Sequence, residues 1–379
     1  MTRKENEIDN IRPGVLNKEQ TKQLLENKIV TNLDIENIDS SSFDLHLSKF
    51  GWKMKGSIKP DRQTTCSKIT RDYSEATLDL SSLKTLETGS TYVIQIKEDL
   101  NLPSGKRFFG KTTGKSSIGR LDVLTRLIVD KSHIYDTVDE EHSGNLFLEV
   151  TPITFPISVK EGIALSQLRL FRGFPEWSEI KKEEISLFGE LILDENFKPK
   201  TIQEISELRV NLAPDPKTKH SAYCALRKNS NKELELDLTK EKGSYHPEGF
   251  WEPIECKNGE LIKIKPEAFY ILRSKERFRL PKDVAVYCQS VSETLGELRI
   301  HYAGFVHPLF GTRREEGAPV IFEVRGHNVT TYLRDGETLA NINFYRMSQP
   351  ADELTEESDY ENQELTLSKY FKNWGQKPK

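Results

Sequence analysis

Long apolar runs are missing from this sequence. Nowhere do apolar residues continue for the roughly 18 positions that a membrane-spanning helix needs. The opening stretch, MTRKENEIDNIRPG, has no hydrophobic segment of the kind that marks a secretory signal. Cysteine is scarce as well: Cys66, Cys224, Cys256 and Cys288 lie far apart and without paired spacing. That argues against a disulfide framework or a thiolate metal site and reads as reduced thiols in a cytoplasmic protein. Strong charge of one sign is also lacking, since the net charge is only −4. No nucleic acid and no membrane surface is therefore an expected partner, and any phosphate must be held by local cations. With 36% hydrophobic and 30% charged residues over 379 positions, the chain has much wet surface and enough length for two cores.

What is present begins with a helix. Asn17 stands at an N-cap position, Glu19 in the first turn, Gln20 at the capping-box position three residues on, and Leu24 and Leu25 supply a buried stripe. The texture then changes to short runs, SSFDLHL, TYVIQI, RLIV, NLFLEV and SQLRLF, bounded by Gly, Pro, Asn and Asp. These predict a mainly β fold of many short strands. The chain also resembles itself. TYVIQIKEDLNLP (91–103) parallels FYILRSKERFRLP (269–281), which sets Pro103 against Pro281, 178 positions apart. KSSIGRLDV parallels SETLGELRI, NLFLEV parallels PVIFEV with Glu149 over Glu323, and LSQLRLF parallels LANINFY with Gln167 over Asn341. Four segments in one order at a nearly constant offset predict two copies of one β domain. The expected organisation is a first domain over 1–173, a charged, partly helical connector over 174–204, a second repeat over 205–350 and a tail over 351–379.

Two stretches carry chemistry. GKTTGKSSIGR (110–120) gathers three glycines, paired serines and three cations into a turn rich in donors, a composition that suits phosphate oxygens or simply a solvated loop. In SGNLFLEV (143–150), strand alternation sets Leu146, Leu148 and Val150 on one face and Phe147 and Glu149 on the other. A carboxylate among such neighbours is either paired, for example with Arg120 or Arg126, or is a base whose pKa is raised by burial.

Together, SSFDLHL (41–47), GKSSIGR (114–120) and DTVDEEHSG leading to FLE (136–149) resemble the ordered motifs of the dUTPase and dCTP deaminase superfamily. HYAGFVHPLFG (301–311), GAPVIFEVR, GFWEPIE and the tail DYENQELTLSKYF resemble its long, two-repeat bacterial dCTP deaminases. The resemblance covers nearly the whole chain and is weakest over 174–215. It implies two tandem dUTPase-like β-barrel or jelly-roll domains. It also implies hydrolysis of dCTP to dUTP and ammonia, a source of dUTP for thymidylate synthesis. Glu149 is then expected as the proton shuttle, with Ser116 and Arg120 polarising the base; Glu149→Gln should stop ammonia release. Lys115, in place of the family's usual Arg, with Ser116, Ser117 and Arg120 would bind the triphosphate and the base-side water network, and Gly119, Phe147 and Gln167 are further expected substrate contacts. Asp136, or else Asp139, would meet the sugar hydroxyl, and Gln363 in the tail would close over the nucleotide, although Asp359 stands where short members have Lys. Mg²⁺ would enter with the triphosphate. Zinc is not expected: His246-Pro247-Glu248 fits H-x-E, but no C-x-x-C completes the zinc deaminase signature.

In the second copy Glu293, Thr294 and Glu297 replace Ser116, Ser117 and Arg120, and acids there would repel phosphates. Repeat two is thus expected as a structural partner, with Glu323 ion-paired to a neighbour such as Arg325 and His307 packed at a turn. The superfamily builds its sites between domains of a trimer, so a homo-oligomer or pseudo-trimer is expected, with dTTP as a possible feedback inhibitor. The rival readings are a dUTPase or a bifunctional enzyme, and a non-catalytic nucleotide sensor. Glu149 favours deamination, because dUTPases generally lack an acid on that strand and carry a Gly-rich C-terminal arm that this tail does not have.

Overall fold

The computed structural model describes residues 11–201, 204–226, 228–229, 232–257, 261–290, 298–300, 304–352, 360 and 363–376. Helix α1 (Lys18–Glu26) starts as its sequence dictates. Asn17 Oδ1 accepts the Gln20 N–H at 2.9 Å, Gln20 Oε1 accepts the Asn17 N–H at 3.1 Å, and Leu24 is buried. Gln20 also donates to Ser348 Oγ, 2.9 Å away, so this first helix is tied to the end of the second half.

The first β domain is built from β1 (Phe43–Met54), β2 (Thr91–Asn101), β3 (Phe108–Gly114), β4 (Val123–Ile128), β5 (Thr137–Val138), β6 (Ser143–Pro152) and β7 (Ala164–Arg172). Hydrogen bonding runs β4–β6–β2–β1–β7–β3–β5. The second domain repeats the scheme with β8 (Glu207–Asn211), β9 (Ala222–Ala225), β10 (Phe269–Phe278), β11 (Val284–Ser290), β12 (Leu298–Ile300), β13 (Phe305–Val306), β14 (Ala318–Gly326) and β15 (Thr338–Arg346). There β12 pairs with β14, β14 with β10, β10 with both β8 and β9, β8 with β15, β15 with β11, and β11 with β13. The long β1 is thus matched by the pair β8 and β9. Register makes the equivalence residue by residue. Glu149 stands opposite Val93 and Glu323 opposite Ile271, so the partners repeat the 178-residue offset of Pro103 and Pro281. Val138 opposite Gly110 and Val306 opposite Val286 then make Asp139 the counterpart of His307.

Strand alternation sorts side chains as the sequence predicts. Leu146, Leu148 and Val150 join the main core of the first domain, while Phe147 turns to the other face against Met54, Cys66, Ile69, Val93 and Ile128. The segment expected as a surface connector does more than connect. Ile180, Ile185, Leu191 and Ile192 are buried in the second core, and Ile192 pairs with Phe278 as Val30 pairs with Leu100 in the first domain. Its charged residues hid an apolar face that opens the second repeat.

The two domains share a packed boundary. Val15, Phe109 and Phe171 of the first meet Ala285, Tyr345 and Met347 of the second. Arg169 is fully buried there and donates to Val286 O at 3.0 Å and to Ser41 Oγ at 3.0 Å. Arg325 crosses the boundary to pair with the fully buried Asp122 and donates to Thr154 Oγ1 at 2.8 Å. The tail docks too: Leu365, Leu367, Tyr370 and Phe371 complete the first domain's core, and Trp374 stacks on Tyr223 with centroids 5.0 Å apart. No helix among the described residues is long and apolar enough to cross a membrane.

Candidate active site

β3 ends at Gly114, and the chain turns into a short helical segment, α2 (Ser116–Gly119). The Lys115 N–H bonds to Leu165 O at 3.0 Å, and the buried Ile118 anchors the turn from beneath. This loop forms one wall of a cavity of about 280 Å³ lying between the two domains. Lys115, Ser116, Ser117, Gly119, Arg120 and Gln167 line it from the first domain, Phe305, Val306, His307 and Glu323 from the second, and Tyr360, Gln363 and Lys369 from the tail.

The glutamate in this cavity is Glu323. It approaches the loop so closely that a Cβ on Gly119 would lie 2.9 Å from its Oε1 and 3.0 Å from its Oε2. Burial pushes the Glu323 carboxyl up to about 8, against the opposing pull of Arg120. Arg120 is itself buried. Its guanidinium donates to Gln363 Oε1 at 2.6 Å and Thr366 O at 2.9 Å and lies 4.0 Å from the Tyr360 ring centroid. Its Nε is buried and has no hydrogen-bond partner among the described residues. Ser368 Oγ donates to Ser117 O at 2.6 Å, which fixes the tail against the loop. Lys115 pairs with Asp44, and Gln167 accepts from Ser42 Oγ at 3.1 Å.

His307 Nδ1 lies 2.9 Å from Ser41 Oγ, which accepts from Arg169. Its Nε2 lies 3.8 Å from Asp39 Oδ2, and burial lowers the His307 pKa, favouring the neutral ring. Imidazole and carboxylate stand side by side at the cavity wall.

Glu149 is elsewhere. It accepts from Ser57 Oγ at 2.8 Å and from the Ile58 N–H at 3.3 Å, in the segment between β1 and a helix over Cys66–Tyr73. Burial raises its carboxyl as anticipated, but it does not line the cavity. The physical reason is strand order. Between β6, which carries Glu149, and β3, which leads into the 115–120 loop, lie β2, β1 and β7. A loop therefore meets the glutamate of the neighbouring copy rather than its own. Phe147 shares the Glu149 face and packs in its apolar cluster, away from the cavity. Asp136 accepts from the Leu127 N–H and from Arg126, both at 2.8 Å, and neither it nor Asp139 lines the cavity; His307, the counterpart of Asp139, does. The expected pair of Glu323 with Arg325 is not formed, because Arg325 is committed to Asp122. Glu293, Thr294, Glu297 and Asp359 lie outside the described residues.

Both halves of the chain match known domain families. Residues 12–174 match the N-terminal domain of 2′-deoxycytidine 5′-triphosphate deaminase, and residues 180–371 match its C-terminal domain. The chain belongs to the two-domain dCTP deaminase family. A solved dCTP deaminase from Agrobacterium tumefaciens is similar at 27% identity, covering 89% of this chain and 99% of that one, with a TM-score of 0.79. No curated protein matches the sequence. Membership supports dCTP deaminase activity and two tandem dUTPase-like domains. For a dCTP deaminase the metal question is then local. Among the described residues no three His, Cys, Asp or Glu side chains cluster to hold an ion. His246 instead faces Lys372 Nζ at 3.0 Å, and Glu248 accepts from the Gly375 N–H at 3.3 Å.

Glu323 lines the cavity as the repeat counterpart of Glu149, a match legible in the sequence offset alone. Asp39, Tyr360 and Lys369 also line it and carry no local sequence signal. The closeness of Gly119 to Glu323 yields a test. Gly119→Ala puts a methyl against a buried carboxylate, and displacing a reacting group by about 1 Å costs on the order of 100-fold in rate. We expect ammonia release to fall by about that factor with little change in the thermal midpoint, measured on the same preparation.

Proposed function

We propose that this chain deaminates dCTP hydrolytically in the cavity between its two domains, with Glu323 as the proton shuttle. The observation that carries this reading is the meeting of Glu323 with the 115–120 loop. Glu323 in its ionised form takes a proton from water as the oxygen bonds to C4 of the cytosine. It passes that proton to N3 of the ring and then carries the C4 hydroxyl proton to the 4-amino group; the C4–N bond breaks as C4=O forms, and ammonia and dUTP leave. Ser116 and the Arg120 guanidinium stabilise charge on the ring as it develops, Arg120 being held in place by Gln363 and the tail carbonyls. Lys115, Ser117 and Lys369 supply the local cations and donors for the triphosphate, which arrives with Mg²⁺ as its counterion. His307 and Asp39 read a sugar hydroxyl. Since loop and glutamate belong to one chain, each chain holds one complete site, and no trimer is needed to build it.

Product analysis with dCTP and Mg²⁺ tests the reading: ammonia with dUTP supports it, and absence of ammonia overturns it. Ammonia with dUMP and pyrophosphate would make the enzyme bifunctional. The same assay across pH tests the base. A carboxyl raised to about 8 is mostly protonated near neutrality, so kcat/KM should climb as pH rises through that value. Stability should run the other way. A carboxyl whose folded pKa is raised stabilises the fold fully below its ordinary 4.5, and that contribution is lost as pH rises toward 8.

A further inference from the structure

Arg169 has no exposed surface, and none of the groups it bonds is a carboxylate. In the first domain its guanidinium donates to Ser41 O at 3.3 Å and to Ser41 Oγ at 3.0 Å. In the second it donates to Val286 O at 3.0 Å and to Val306 O at 3.4 Å, and it lies 4.0 Å from the Phe305 ring centroid. Burial lowers its pKa to about 9, a cost that an apolar side chain of similar volume would avoid. What the cation holds is one wall of the cavity between the domains. There Phe305 and Val306 form β13, which bonds only to β11 among the described residues, and His307 follows directly. Arg169 reaches both strands of this edge through Val286 and Val306. It reaches the imidazole a second way, because the Ser41 Oγ that it bonds lies 2.9 Å from His307 Nδ1. Asp39, the neighbour of His307 Nε2, stands two residues before Ser41.

We propose that Arg169 is a positioning residue for sugar recognition. With Ser41 it fixes His307 beside Asp39, and so sets the preference for a nucleotide that carries the 3′-hydroxyl, the one free hydroxyl of deoxyribose. An arginine suits this task, because its planar fork serves several oxygens in fixed directions where a lysine offers a point charge. Arg169 does not itself line the cavity, so its effect passes through His307. The proposal rests on the reading that His307 and Asp39 meet the sugar, and it names what holds them there.

The test compares dCTP with 2′,3′-dideoxycytidine triphosphate, which lacks that hydroxyl, on the full-length wild type, Ser41→Ala and Arg169→Lys. The ratio of kcat/KM for the two nucleotides measures recognition of the hydroxyl. In the wild type it is expected to be at least about tenfold, the scale of a hydrogen bond to a charged group. Both variants should bring it to within about twofold of unity, by loss on dCTP and not on the dideoxy analogue. Ser41→Ala leaves Arg169 its three carbonyl bonds, so it carries the test even where Arg169→Lys fails to fold. An unchanged ratio in Ser41→Ala, or equal losses on both nucleotides, overturns the proposal and leaves the sugar reading standing. A wild-type ratio near one overturns the sugar reading and the proposal with it. If neither nucleotide releases ammonia, the deamination reading fails by itself, and the same ratio taken from dissociation constants by calorimetry decides the role of Arg169.

Discussion

Glu323→Gln is expected to lower ammonia release from dCTP by at least about 10³-fold, the scale at which a positioned acid–base group acts, while Glu149→Gln leaves it within about twofold of wild type. The first substitution keeps the shape of a side chain that sits against Gly119 and removes only its ability to carry a proton. It also removes a buried carboxyl with a raised pKa, so no loss of folding should obscure the result. The second touches a carboxylate bonded to Ser57 and Ile58, where an amide oxygen still accepts one of those hydrogen bonds. Steady-state ammonia release with dCTP binding measured in parallel decides the matter. Retained turnover in Glu323→Gln, or loss confined to Glu149→Gln, would return the catalytic role to the first copy.

The largest effect on stability is expected from Arg325→Ala. Asp122 has no exposed surface, and its carboxylate is held by Arg325 and by Thr154 Oγ1 at 2.5 Å. Removing one partner of a buried pair leaves an uncompensated charge and costs about 3–5 kcal/mol. Because the pair spans the domain boundary, the loss should appear as weakened cohesion of the two halves in urea unfolding. The double variant Asp122→Ala/Arg325→Ala should be less destabilised than Arg325→Ala, since no orphaned charge remains. A single variant as stable as wild type would show that the pair contributes nothing to the boundary.

Much of this architecture was legible in the sequence. Asn17 and Gln20 announced the first helix, the alternation of 146–150 assigned both faces of a strand, and repeat offsets matched Glu149 to Glu323. What spacing within one chain does not reveal is which copy of a domain faces which. The 115–120 loop and FLE lie close together in sequence, and it was natural to join them in one site. The sheet sets three strands between them and brings in the equivalent residue from 174 positions further on. Neither Asp136 nor Asp139 lines this cavity for the same reason, whereas His307, the counterpart of Asp139, does. The tail was ambiguous because its acidic start resembles a solvated end, whereas its later Leu, Tyr and Phe residues are buried.

Arg120 is joined to Gln363, 243 positions later in the chain. The pocket is therefore assembled from the first half of the polypeptide, several segments of the second, and the tail around Tyr360 to Lys369. A chain that stopped before the tail would carry the 115–120 loop and Glu323 and still lack Gln363 and the Thr366 carbonyl that hold Arg120. Loss of the tail should therefore act on the cavity as a substitution of Arg120 would, by freeing the guanidinium.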